Sequence, residues 1–69
     1  MTQLEHKAIE KSARLVVLMR LQDSGHLLGL SLQAIANLFP TKPNRSTIMR
    51  DLRDLEKLRA LLAEMDKTL

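Results

Sequence analysis

Along the chain, apolar positions recur at helical spacing in three stretches, separated by two short clusters of turn-forming residues. In the first stretch Leu4, Ala8, Leu15 and Met19 follow a three/four spacing. Ile9, Ala13, Val16, Val17 and Leu21 fill a strip beside them. No glycine or proline interrupts residues 3–22, so the spacing predicts one helix there. Its centre, Leu15 to Met19, is apolar on all sides. That pattern fits a central core helix. The other reading is a helix that packs internally on one side and against a second subunit on the other.

The connection "DSGHLLGLS", residues 23–31, opens with the turn cluster Asp23, Ser24 and Gly25. Gly25 suits the left-handed residue that ends a helix. Leu27, Leu28 and Leu30 are expected to tuck inward, in a short extended segment. Residues 31–39 then predict a short helix with Ser31 as N-cap. Its apolar stripe is Leu32, Ile35, Ala36 and either Leu38 or Phe39. Pro40 ends it, because the residue before a proline is pushed out of helical geometry.

After the turn "PTKPN", Asn44 is placed to cap a third helix. From Arg45 to Leu69 there is no breaker, and the chain could run as one piece of roughly 37 Å at ~1.5 Å per residue, helical to about residue 68. The pattern as a whole predicts an all-α single domain over residues 1–69 with a long C-terminal helix.

Placing residues every ~100° around the third helix divides it into faces. Ile48, Leu52 and Leu55 share the face expected to pack on the other helices. Ser46, Arg50, Arg53 and Lys57 gather on the roughly opposite side with Met49 beside them, and Arg45 and Thr47 flank its start. Asp51 and Asp54 edge the stripe on one side and Glu56 on the other. Farther along, Leu55, Leu58, Leu61, Leu62, Met65 and Leu69 form a heptad-like seam of about two repeats. The seam falls on a different side from Ile48 and Leu52. It therefore suits helix one of the same chain or the equivalent helix of a second chain. Two heptads are too short to hold a dimer alone, so helix one is expected to contribute.

Composition narrows the functional classes. The chain has 69 residues, a formal net charge of +3 and a single aromatic residue, Phe39. A core this small favours oligomerisation. The basic balance tilts toward an anionic partner, and one aromatic residue is too few for the stacking platforms that bind single strands. With no cysteine there is neither a disulfide framework nor a thiolate metal site. The apolar run "LVVLM" is too short for a signal sequence or a membrane span. His6 and His26 lie on separate elements without ligand spacing, His6 beside Glu5 reading as a solvated pair and His26 as a turn residue. The serines have no visible His/Asp partners, and Gly25 and Gly29 do not make a phosphate loop. No enzyme, metal or cofactor is expected, and a cytoplasmic location fits.

The segment "IANLFPTKPNRSTIMRDLRDLEKL" resembles the helix-turn-helix core of winged-helix bacterial regulators of the DeoR-like type. Their supporting helix reads I-A-x-L-hydrophobic. Their next helix opens with a capping Ser or Asn and continues x-x-T-I/V-x-R-D-L-x-x-L-E. The resemblance covers about 24 residues. It implies that Ile35, Ala36 and Leu38 pack the supporting helix and that Asn44 is the cap. It implies that Arg45, Ser46, Thr47, Met49 and Arg50 face DNA. Arg53 and Lys57, one and two turns farther along, would meet phosphates. Two departures stand out: the turn is longer than the tight form, and "LRALLAEMDKTL" replaces the wing with a helical pattern.

The expectation from these residues is a sequence-specific regulator of double-stranded DNA. It would act as a small homodimer through Leu58, Leu61, Leu62, Met65 and Leu69, of the size found among phage and mobile-element proteins. A second expectation keeps the scaffold but makes another regulatory protein the partner, with the leucine seam as the working surface. The interleaved Asp51, Asp54 and Glu56 favour that alternative, because each would repel a nearby phosphate. A charged face such as this is also commonly just solvated, with Arg50–Asp54 as an ordinary surface spacing.

Overall fold

The computed structural model describes residues 2–69. It contains three helices, α1 (Gln3–Asp23), α2 (Leu32–Ala36) and α3 (Arg45–Thr68), and no strand among the described residues. The all-α class and the long C-terminal helix agree with the pattern of the sequence.

Helix α1 starts with a capping box. Thr2 accepts a hydrogen bond from the backbone N–H of Glu5, and Glu5 accepts one in return from the N–H of Thr2. It ends in a Schellman motif around Gly25, whose φ is +79°. The N–H of His26 donates to the carbonyl of Leu21 at 2.9 Å, and that of Gly25 donates to Gln22 at 3.1 Å. A Cβ at Gly25 would meet only the tip of Leu28 at 3.9 Å, an ordinary contact. The cost of a side chain here is therefore conformational. Gly25→Ala should lower the unfolding free energy by roughly 1–2 kcal/mol in urea titrations, the left-handed penalty of an L-residue. An unchanged midpoint would show that the turn relaxes.

Two expectations for the connection fail. Only Leu27 packs against the core; Leu28 and Leu30 are exposed, and the segment is a run of turns rather than extended chain. The bonds Leu28 N–H to Gly25 and Leu30 N–H to Leu27 close these turns, leaving no span long enough to bring every leucine inward.

Helix α2 is capped by Ser31, which accepts from the N–H of Ala34 at 3.1 Å. It stops at Ala36, three residues short of the expected end. Leu38 and Phe39 donate to carbonyls three residues back instead of four. This tighter winding prepares for Pro40, which disfavours helical geometry at Phe39. It also settles the end of the stripe. Phe39 is buried, whereas Leu38 is 53% exposed and is not a packing residue.

The centre of the molecule is α3, not α1. Both α1 and α2 pack on α3, and their backbones do not approach each other closely. The core consists of Leu18 from α1, Ile35, Ala36 and Phe39 from the α2 region, and Ile48 and Leu55 from α3. Leu18 is the one fully buried residue of α1; Val16 and Val17 on its other side are exposed. At ~1.5 Å per residue α1 and α3 are about 31 and 36 Å long. The body measures 37 × 36 × 17 Å. Near-equal long dimensions fit two long rods that cross at a wide angle. Residues 2–9, at the start of the chain's first helix, and residues 60–69 are exposed throughout.

Candidate functional site

The N-terminal half of α3 carries the basic stripe. Asn44 occupies the N-cap position with φ −66° and ψ 151°, but its side chain makes no capping hydrogen bond. The expected cap is thus right in position and incomplete in chemistry. The first N–H groups of α3 have no side-chain acceptor, and with the helix dipole they favour negative charge. The connection into this end passes through Lys42, held at φ +45° with its N–H donated to the carbonyl of Phe39 at 3.0 Å.

Ser46, Met49, Arg50, Arg53 and Lys57 are all exposed, as is Arg45. The structure keeps Ser46, Arg50, Arg53 and Lys57 on one side of a continuous helix. Thr47 is the exception among the seven residues assigned to DNA: it is half-buried. Among the described residues, no carboxylate lies within 4.0 Å of Arg45, Arg50, Arg53 or Lys57. The Arg50–Asp54 pair that spacing allows is not formed.

Two carboxylates of this helix, Asp51 and Asp54, face α1 instead, while Glu56 stays exposed. Asp51 is buried, 1% exposed, and its Oδ2 accepts from Arg14 Nε at 2.7 Å. Lys11 Nζ lies 3.9 Å from the other oxygen of Asp51 and hydrogen-bonds Asp54. Arg14 also stands 3.7 Å from Glu10, one turn back on α1. Asp51 is therefore not a flanking surface residue, which corrects the sequence expectation, and Leu52 is only partly buried. On the helical wheel Asp51 stands between Leu55 and Leu58, about 40° from Leu55 and 20° from Leu58. That position was the available signal for its burial. The partners, Lys11 and Arg14, carry no signal in their own helix, because 37 or more residues separate them from the carboxylates they meet.

The Lys11 ammonium hydrogen bond, helped by the charges of Lys11 and Lys57 and opposed by some desolvation, holds the Asp54 carboxyl below the usual aspartate range. A depressed folded value makes the ionised form stabilising. The contribution is present above the ordinary aspartate value of about 3.9 and disappears as pH falls through the lower folded value. An NMR titration of the Asp54 side chain should give a midpoint below the ordinary aspartate value of about 3.9. Lys11→Met should return it toward that value. A midpoint at the ordinary value in the parent would show that the pair is not formed in solution.

The leucine seam divides. Leu58 packs on the core, and Leu61, Leu62, Met65 and Leu69 are 53%, 41%, 55% and 102% exposed. Helix one of the same chain does not cover them, which removes one of the two possibilities open from the sequence. At the base of this arm Arg59 is tied to the end of α1, donating to Gln22 Oε1 at 3.1 Å and to Asp23 Oδ1 at 2.8 Å. His6 lies 4.0 Å from Glu10 rather than pairing with Glu5, which is used in the capping box. His26 hydrogen-bonds Ser24 in the turn. No group of three or more His, Cys, Asp or Glu capable of holding a metal occurs among the described residues. No helix among them is long and apolar enough to cross a membrane.

No protein-family model, curated protein or solved structure matches the chain.

Proposed function

We propose that this protein is a sequence-specific regulator that binds double-stranded DNA as a small homodimer in the cytoplasm. The first turns of α3 enter the major groove. One observation carries the reading: the cations of the stripe stand free in solvent, while the carboxylates at positions 51 and 54 are turned away and matched by Arg14 and Lys11. From the sequence, Asp51, Asp54 and Glu56 weigh against phosphate. In the folded chain α1 supplies two cations that offset the first two, and Glu56 stays exposed. Arg50 is placed to bond a base edge bidentately, and Ser46 to serve as a short donor or acceptor beside it. Arg53 and Lys57 continue toward the phosphates. The arrangement of α2, turn and α3 is in keeping with the resemblance to DeoR-like helix-turn-helix cores, with the wing replaced by the end of α3. Bound to a two-fold operator, a dimer would regulate by occupancy, blocking or aiding polymerase.

A gel-shift or anisotropy titration with genomic fragments at two salt concentrations tests this. Each phosphate contact adds about 0.9 to the slope of log affinity against log salt. A protein using this stripe should show a slope of several units and prefer a subset of fragments. No salt-dependent binding would end the DNA reading.

A second reading has one observation in its favour. The exposed apolar seam on residues 61–69 is also what a protein-interaction module would present to another regulatory protein. The stripe would then serve solubility alone. Loss of DNA binding in the titration above, with the seam intact, would leave this reading standing.

A further inference from the structure

We infer that the outward face of α1 is half of the dimer interface: in the dimer, α1 of each copy lies against the exposed α3 arm of the other. The proposal deepens the homodimer part of the function above and is independent of DNA.

The chain exposes 5496 Å². A compact monomer of this mass is expected to expose about 4,400 Å². The excess is about 1,100 Å², and a standard interface covers about 800 Å² on each partner. Two continuous apolar surfaces are among what is exposed. One is the arm, with Leu61, Leu62, Met65 and Leu69. The other is the side of α1 turned away from α3, where Ile9 is 56%, Val16 38% and Val17 39% exposed, with Ala13 between them. The arm is too short to hold a dimer by itself, so a second surface is needed.

On the wheel the arm residues continue the side of α3 on which Asp51, Asp54 and Leu58 lie, within about 60° of it. That is the side on which α1 is seated nearer the centre. Beyond Arg59, which holds the end of α1, the same face of α3 is exposed. What this face accepts within the chain is α1, and a second α1 is what the partner can supply. Its outward strip is made of small and β-branched residues, a shallow surface for leucine and methionine to pack into. Placing each α1 between its own α3 and the partner's arm uses both surfaces once, as a two-fold interface requires.

Among the described residues, Arg20, at the end of the outward strip, has no carboxylate within 4.0 Å, and neither Glu64 nor Asp66 on the arm has a cation. An arm against another arm would bring these acids together. An arm against α1 brings them toward Arg20.

The test is run without nucleic acid. Sedimentation equilibrium at micromolar concentration should give twice the chain mass for the parent, and the monomer mass for both Leu62→Glu and Val16→Lys. Both positions are solvent-facing in the single chain, so far-ultraviolet circular dichroism should remain helical. The chain has no cysteine, which allows the pairing to be read directly. Val16→Cys and Leu62→Cys chains, mixed and treated with a short bismaleimide, should cross-link to each other and not to themselves. A monomeric parent overturns the proposal. So does a dimeric Val16→Lys, or cross-linking of Leu62→Cys chains only to one another, which would set arm against arm. Failure of the DNA titration leaves these outcomes untouched, so the two readings fail separately.

Discussion

Arg14→Ala is expected to lower the unfolding free energy by roughly 3–5 kcal/mol, the range for breaking a buried ion pair by removing one partner. The carboxylate of Asp51 is 1% exposed, and its hydrogen-bond donor is Arg14. Without the guanidinium, the nearest cation is Lys11 at 3.9 Å, beyond hydrogen-bonding distance and already engaged by Asp54. Water cannot reach the carboxylate as the chain is packed. The penalty is the desolvation of a charge, not the loss of one contact. A domain of this length has a total stability on the order of 3–10 kcal/mol, so much of the variant should be unfolded near body temperature. Asp51→Asn should cost less, about 1–3 kcal/mol. It leaves no buried anion, and Arg14, itself 15% exposed, can still turn to Glu10. The double variant Arg14→Met with Asp51→Leu should recover most or all of the loss, because apolar side chains of similar volume often replace a buried pair without penalty. Urea unfolding followed by circular dichroism measures all three. An Arg14→Ala variant within about 0.5 kcal/mol of the parent would show that water enters the site and that the pair behaves as a surface one.

This pair also marks what could be read in the sequence and what could not. Helix α3 was legible almost to the residue because its signals are local: no glycine or proline from Arg45 onward, and apolar residues at three/four spacing. The end of α1 was legible for the same reason, since Gly25 takes the left-handed conformation that stops a helix. Periodicity, however, assigns polar residues to the outside. It put Asp51 at the edge of the basic stripe, although its angular position lay inside the buried sector. Nothing within α3 announces that α1 brings Lys11 and Arg14 to meet the two aspartates. Ion pairs across 37 or more residues belong to the tertiary fold alone. The same limit explains α1. An apolar run on all sides reads as a core helix, yet in the chain only Leu18 is fully buried and Val16 and Val17 face outward. Burial against a second copy and burial within one chain leave the same pattern in the sequence. Leu28 and Leu30 failed for another reason. In a run of tight turns, backbone bonding fixes which side chains face inward, and hydrophobicity alone does not override it.

The candidate site rests on this division, and its prediction separates two kinds of contact. Replacing Arg50 by Ala should cost roughly 1–3 kcal/mol on the preferred DNA site and relax discrimination at one base pair. The reason is position. Arg50 lies near the start of α3, exposed, with no carboxylate within 4.0 Å among the described residues, where the first turns of a groove-bound helix meet base edges. Replacing Lys57, two turns farther along, should weaken all sequences about equally. It should also reduce the salt slope by about one unit, because an ammonium on a phosphate releases one counterion whatever the base. Neither change should unfold the chain, since both side chains point away from Ile48 and Leu55, and neither forms an ion pair among the described residues. Stability measured beside affinity therefore separates a lost contact from a lost fold. Arg14→Ala provides the contrast: it should lose DNA binding together with stability, in step with its loss of helical signal. If Arg50→Ala and Lys57→Ala both bind DNA as the parent does, the stripe is a solvated surface. The exposed leucine arm would then be the face of the molecule that meets a partner.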